Sequence, residues 1–174
     1  MQLKRRGLSG VVVLVASVLL VALLSPNARA HFSGNDSVDG NEIRYQDNTQ
    51  WNDALNHAIG AWEGLPGGVS IAPDSATTIN DLDIGDYTST SDTRCGYWQP
   101  RTGEDYLRLN GHFFSRYGTN DKRACMTHEW GHAHGLAHSY VNQVMDPCPV
   151  SWCTSPPSPT TPQDHDRSDY AYLW

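Results

Sequence analysis

The stretch His128-Glu129-Trp130-Gly131-His132-Ala133-His134-Gly135-Leu136-Ala137-His138 decides how the rest of the chain is read. Residues four apart on a helix share a face, so His128 and His132 can aim two imidazoles at one ion, with Glu129 beside them toward the open side. Gly135 can adopt positive φ, end the helix and reverse the chain, so that His138 supplies a third nitrogen from outside it. Three imidazoles leave one position of a tetrahedral zinc (Zn²⁺) for water, which separates a catalytic site from a closed structural one. With this chain's own His, Glu and Gly frequencies, chance agreement at all five fixed positions is roughly three in a hundred thousand, so a merely decorated surface helix is set aside.

Working outward, the helix carrying this stretch is expected to begin near Asn120 or Asp121, a good capping position, and to stop at Gly135. Upstream, Trp51, Leu55, Ala58, Ile59, Trp62 and Leu65 recur every three or four residues and predict an amphipathic helix, with its tryptophans in the core. Glu42 to Gln46, Val69 to Ala72, Ile79 to Tyr87, Arg94 to Trp98 and Tyr106 to Leu109 read as short strands of a small, largely sequential sheet. Residues 31 to 41 are polar and read as a loose N-terminal stretch, while the four prolines of Ser155 to Pro162 predict a stiff connector. Thr161-Pro162-Gln163-Asp164 has the order that opens a third helix, with Tyr170, Leu173 and Trp174 on its apolar face.

Composition narrows the function classes. The chain has 174 residues and 39% apolar content, room for one domain of ordinary size with a real core. Lys4, Arg5 and Arg6 precede an apolar run from Val11 to Leu24 that ends in Ala28-Arg29-Ala30, the order of a secretory signal peptide, so residues 1–30 are expected to be removed and 31–174 to act outside the cell. That leaves eight basic against 19 acidic residues, a formal charge of −11, which argues against nucleic acid or anionic lipid as partner.

All four cysteines, Cys95, Cys125, Cys148 and Cys153, fall in the exported part, where disulfides persist. Three pairings are possible, and Cys95 with Cys125 and Cys148 with Cys153 is preferred. A closed Cys-His zinc site is disfavoured, because Cys125 and His132 would lie about 10.5 Å apart along the helix axis.

The His128–His138 pattern matches in full the motif of the metzincin clan of zinc endopeptidases, H-E-x-x-H-x-x-G-x-x-H, and Ser139 after it resembles the matrixin-like members. Val144-Met145-Asp146-Pro147 resembles their Met-turn, whose methionine forms an apolar floor under the zinc, with Asp146 where matrixins usually have tyrosine. The closing helix with His165-Asp166 is similar to the last matrixin helix, and by that likeness Asp166 braces the Met-turn backbone. Small secreted snapalysin-type bacterial proteases are similar in compactness but use Asp where this chain has His138. Pro147 stands where astacin-like members carry an extra tyrosine ligand, so a tyrosine switch is not expected. The triplet Arg94-Cys95-Gly96 echoes an inhibitory cysteine motif of matrixin propeptides, but it sits inside the presumed catalytic domain and is read as part of a bridge.

The resemblance implies an α+β catalytic domain with a small, twisted, mostly parallel sheet of about five strands, three helices, and a zinc cleft between an upper and a lower subdomain. It implies a monomeric metalloendopeptidase acting on proteins or peptides, in which His128, His132 and His138 hold zinc, Glu129 is the general base, and substrate lies extended along an edge strand, taken as Arg94 to Trp98. Calcium (Ca²⁺) is a further candidate ligand, through Asp74, Asp81, Asp83 and Asp86, although no loop pattern fixes the set. His134 is expected to be solvated, and His57 and His112 to be packed or surface residues. Two rivals stand beside the protease reading. One is a zinc-binding interaction module without turnover. The other is a copper protein built on an N-terminal His31 with a second histidine, which no further sequence feature supports.

Overall fold

The five β-rich runs form one sheet: β1 (Glu42–Asn48), β2 (Ser70–Pro73), β3 (Leu82–Tyr87), β4 (Gly96–Gln99) and β5 (Asp105–Asn110), in the order β2-β1-β3-β5-β4. The computed structural model describes residues 31–148 and 159–174; the expected signal peptide, Cys153 and the first half of the proline-rich connector lie outside them. β1 runs parallel to β2 and β3, and β3 parallel to β5, with Ile84 opposite Leu107. The sheet is therefore mostly parallel, as expected, but less sequential. Parallel neighbours need a crossover rather than a hairpin, so β1 sits between β2 and β3, and β3 pairs with β5. Only β4 is antiparallel, folding back on β5 with Trp98 opposite Leu107 and leaving its other side as a sheet edge.

Among the described residues there are four helices rather than three: α1 (Asn52–Glu63), α2 (Gly111–Phe114), α3 (Thr119–Ala133) and α4 (Asp164–Leu173). The extra one is a single turn begun by Asn110, whose side chain accepts a hydrogen bond from the His112 amide. It is too short to show a period in sequence. Helix α4 starts two residues later than the Thr-Pro pair suggests. Gln163 is its cap, because the Asp166 carboxylate reaches back to the Gln163 amide at 2.8 Å in a reciprocal capping pair.

The apolar stripe of α1 is buried at Leu55, Ala58 and Trp62, packed along α3 and over β2, while α3 lies over β4 and β5. Ile43, Leu82, Ile84, Leu107 and Leu109 meet these helices from the sheet and are fully buried. Trp62 is core, as expected, and donates its indole N–H to the carbonyl of Thr127 on α3 at 2.9 Å. Truncating a buried tryptophan of this kind costs about 3–5 kcal/mol. No helix among the described residues is long and apolar enough to cross a membrane.

Residues 31–41 are not loose. Ser33 and Ser37 donate their amides to the carbonyls of Gly135 and Ala133, both at 2.7 Å, and His31 accepts from the Ala137 amide at 2.9 Å. The carbonyls at a helix C-terminus have no partner within the helix, and a polar stretch with free donors supplies one. Composition hides this, because the contact joins residues about a hundred positions apart.

Candidate metal centre

From Ala124 to Ala133 every residue of α3 is buried except His132, which keeps partial exposure. The helix ends as Gly135 requires: φ is +88°, the Gly135 amide returns to the His132 carbonyl at 2.9 Å and the Leu136 amide to Gly131 at 3.0 Å. This reversal brings His138 back beside the helix. Nε2 of His132 then lies 3.1 Å from Nε2 of His128 and 3.3 Å from Nε2 of His138, and a ligand atom of each lies within 4.8 Å of the others.

The far side of two rings is held by backbone. Nδ1 of His128 contacts the Val144 carbonyl, and Nδ1 of His132 the Leu136 carbonyl, both at 2.8 Å. A carbonyl only accepts, so Nδ1 carries the proton and Nε2 presents its lone pair to the centre. Burial pushes His128 well below the ordinary imidazole range and His132 down to about 4, and it lowers His138 against the opposing pull of Asp146. Three neutral imidazoles with converging lone pairs are a donor set that fits zinc, with room for a fourth ligand.

Glu129 lies one residue on from the first histidine, buried beside β4. Burial pushes its carboxyl up to about 8, against the Trp98 amide and the Arg94 charge that pull it down. It fits there because β4 carries glycine at position 96: a Cβ would lie 3.2 Å from Glu129 Cγ and 2.9 Å from the Arg108 carbonyl oxygen. Sequence reading missed Gly96, whose only signal is the absence of a side chain. Together these residues line a cleft of about 370 Å³, with Gly96 to Trp98 of β4 on one wall and Pro147 and Cys148 on another.

Beneath the histidines, the Ser139 amide donates to the Met145 carbonyl at 2.7 Å, closing the loop that follows His138. The Met145 thioether packs against the bare backbone of Gly131, which has no Cβ to exclude it. Asp166 accepts from the amides of Val144 at 2.8 Å and Met145 at 3.1 Å, from a fully buried position. Asp146 is buried too and accepts from the Cys148 amide at 2.9 Å.

No protein-family model matches the chain, and no curated protein matches it. A solved structure described as the GM1 bound form of the ECX AB5 holotoxin is similar at 20% identity with a TM-score of 0.41. That likeness covers 57% of this chain and 53% of the other, and carries no argument at that distance.

The remaining sequence expectations divide. Cys95 and Cys125 form a disulfide, so neither is a zinc ligand, and Cys148 is disulfide-bonded as well; Cys153, its expected partner, lies outside the described residues. His134 is not solvated but fully buried among Trp62, Trp130 and Tyr170, with Nδ1 on the Trp130 carbonyl at 2.8 Å. It falls on the inner side of the helix end, where Trp62 of α1 and Tyr170 of α4 cover it. His57 contacts the Thr160 carbonyl and His112 lies at the surface turn. The four aspartates suggested for calcium do not converge among the described residues. Asp83 pairs with Arg108, Asp86 accepts from Thr49, Asp74 from Thr78, and Asp81 from the Arg44 amide.

Proposed function

We propose that the protein is a secreted zinc-dependent endopeptidase of metzincin type that hydrolyses internal peptide bonds. One observation carries this reading: three neutral imidazoles converge on one point, beside a buried carboxyl, in a cleft walled by a sheet edge. His128, His132 and His138 would hold the ion. When bound, zinc supplies an acidified water and a polarised scissile carbonyl.

The protein's own residues do the rest. Glu129 is placed to take the proton of the attacking water and return it to the leaving amine, and a cation at the three imidazoles lowers its affinity for protons into the range a base requires. The outer edge of β4 offers backbone amides and carbonyls to an extended peptide, which would lie across Gly96 where no side chain blocks approach to Glu129. The Cys95–Cys125 bond ties this edge to the ligand helix and fits an oxidising, extracellular setting.

The test is hydrolysis of an unfolded protein substrate by the zinc-loaded enzyme, with and without chelator, alongside Glu129→Gln. The amide keeps the shape but cannot accept the proton, so the variant should bind zinc normally while turnover falls at least 10²- to 10⁴-fold. A variant retaining near-normal turnover, or a wild-type activity indifferent to chelator, refutes the reading.

A further inference from the structure

The N-terminal stretch carries a second convergent cluster, made by residues that the first does not use. Nδ1 of His31, Nε2 of His165 and Oδ2 of Asp169 form a nearly equilateral triangle, with edges of 3.0, 3.2 and 3.2 Å. His31 is held in place by its carbonyl on the Ala137 amide, and His165 and Asp169 stand one turn apart on α4. Asp169 is buried, while the two rings are partly open to solvent and share the Tyr140 ring at 5.2 and 4.7 Å.

Hydrogen bonding alone does not satisfy this arrangement. Each of the two facing ring nitrogens either donates one proton or accepts one, never both, so at most two of the three edges can be bridged. If both rings donate to Asp169, two N–H groups confront each other; if one donates to the other, an edge to the carboxylate is left with nothing between. A single cation removes the conflict. Ligand–metal distances of about 2.0–2.1 Å place the ligand atoms of a tetrahedral site roughly 3.3 Å apart, close to the edges observed.

We propose that His31, His165 and Asp169 form a second site for a divalent transition metal, independent of the His128–His132–His138 centre. Two imidazole nitrogens and one carboxylate oxygen are a borderline donor set, taken by Zn(II) and, more tightly, by Cu(II). The ion staples the first residues of the described chain to its last helix, across the loop that bears His138 and Tyr140.

Cu(II) titration of the zinc-loaded protein, read by equilibrium dialysis, elemental analysis and electron paramagnetic resonance, tests the assignment. The wild type should take up one copper while retaining its zinc, with a spectrum showing two ring nitrogens. His165→Gln and Asp169→Asn should each weaken this copper at least 30-fold with zinc content and circular dichroism unchanged, while His128→Ala should lose the zinc and keep the copper. The last arm separates the two centres, so the second stands or falls apart from the protease reading. A wild type that binds no metal beyond the first equivalent, or a second equivalent that survives both His165→Gln and Asp169→Asn, overturns the proposal.

Discussion

Replacing Asp166 with alanine isolates how the floor of the metal centre is supported. Its two oxygens take the amides of Val144, Met145 and Gln163 at 2.8, 3.1 and 2.8 Å, with no access to solvent. Burial raises the carboxyl and the three donors lower it, with burial prevailing, so the gain per bond is kept toward the modest end. Removing the acceptor strands these N–H groups, and each buried unsatisfied donor costs about 1–3 kcal/mol. Because the three share one carboxylate and the turn can relax, the sum is not additive, and about 3–5 kcal/mol is expected for the whole substitution. The effect should reach the metal, since the Val144 carbonyl orients His128 at 2.8 Å; loss of such support lowers metal affinity about 10- to 100-fold. Urea unfolding with and without chelator, together with competition against a zinc-binding dye, measures both. Asp166→Asn, which keeps one acceptor, should fall between. A Asp166→Ala protein within 1 kcal/mol of wild type and with unchanged zinc affinity would show that the carboxylate does not brace the turn.

Three further perturbations probe other supports. Gly131→Ala should lower the melting temperature although alanine favours a helix by about 1 kcal/mol, because its methyl would overlap the Met145 sulfur and approach Trp62 Cζ2 to 3.0 Å; a higher melting temperature would contradict this packing. Replacing Cys95 and Cys125 together by alanine reopens a closure spanning 30 residues, worth about 3.5 kcal/mol by chain entropy, so denaturant midpoints should drop markedly and an unchanged midpoint would count against it. His134, kept neutral by burial, has its folded value pushed down to about 4. The unfolded chain binds that proton near pH 6.5 and the folded chain does not, so stability falls as pH drops from 6.5 to 4, by about 3 kcal/mol over the interval. His134→Phe leaves the Trp130 carbonyl its other donor, the residue 134 amide at 3.0 Å, and should flatten this slope; parallel curves for the two proteins would refute the assignment.

The legible parts of the sequence were those encoded locally. Spacing of four, then a glycine, then three more residues is enough to forecast the positions of His128, His132 and His138, since helix pitch and a positive-φ residue translate directly into geometry. The strands at 82–87 and 105–110 were visible through alternating apolar residues, but their pairing was not, because register between parallel strands is decided by the crossovers that separate them. His134 was misjudged for a related reason: a helix's own stripe says nothing about which later segment will cover its end. Polar residues in 31–41 resemble a tail until the carbonyls they serve are known. Gly96 is legible only once Glu129 lies against it.

The capping of α3 by residues 31–37 bears on when during folding the centre can form. Helix α3 and its flanking turn join neighbours in sequence and can organise on their own timescale. Its terminal carbonyls, however, are satisfied by a segment about a hundred residues upstream, and the floor beneath it is fixed by α4, more than twenty residues downstream. Contacts of such long sequence separation close late, since the chain entropy they cost is recovered only after the intervening sheet is in place. The histidines should therefore acquire their final spacing in the last stage of folding, when the two ends of the described chain meet at the end of α3. A ligand set finished in that order holds metal tightly only in molecules that have already folded throughout.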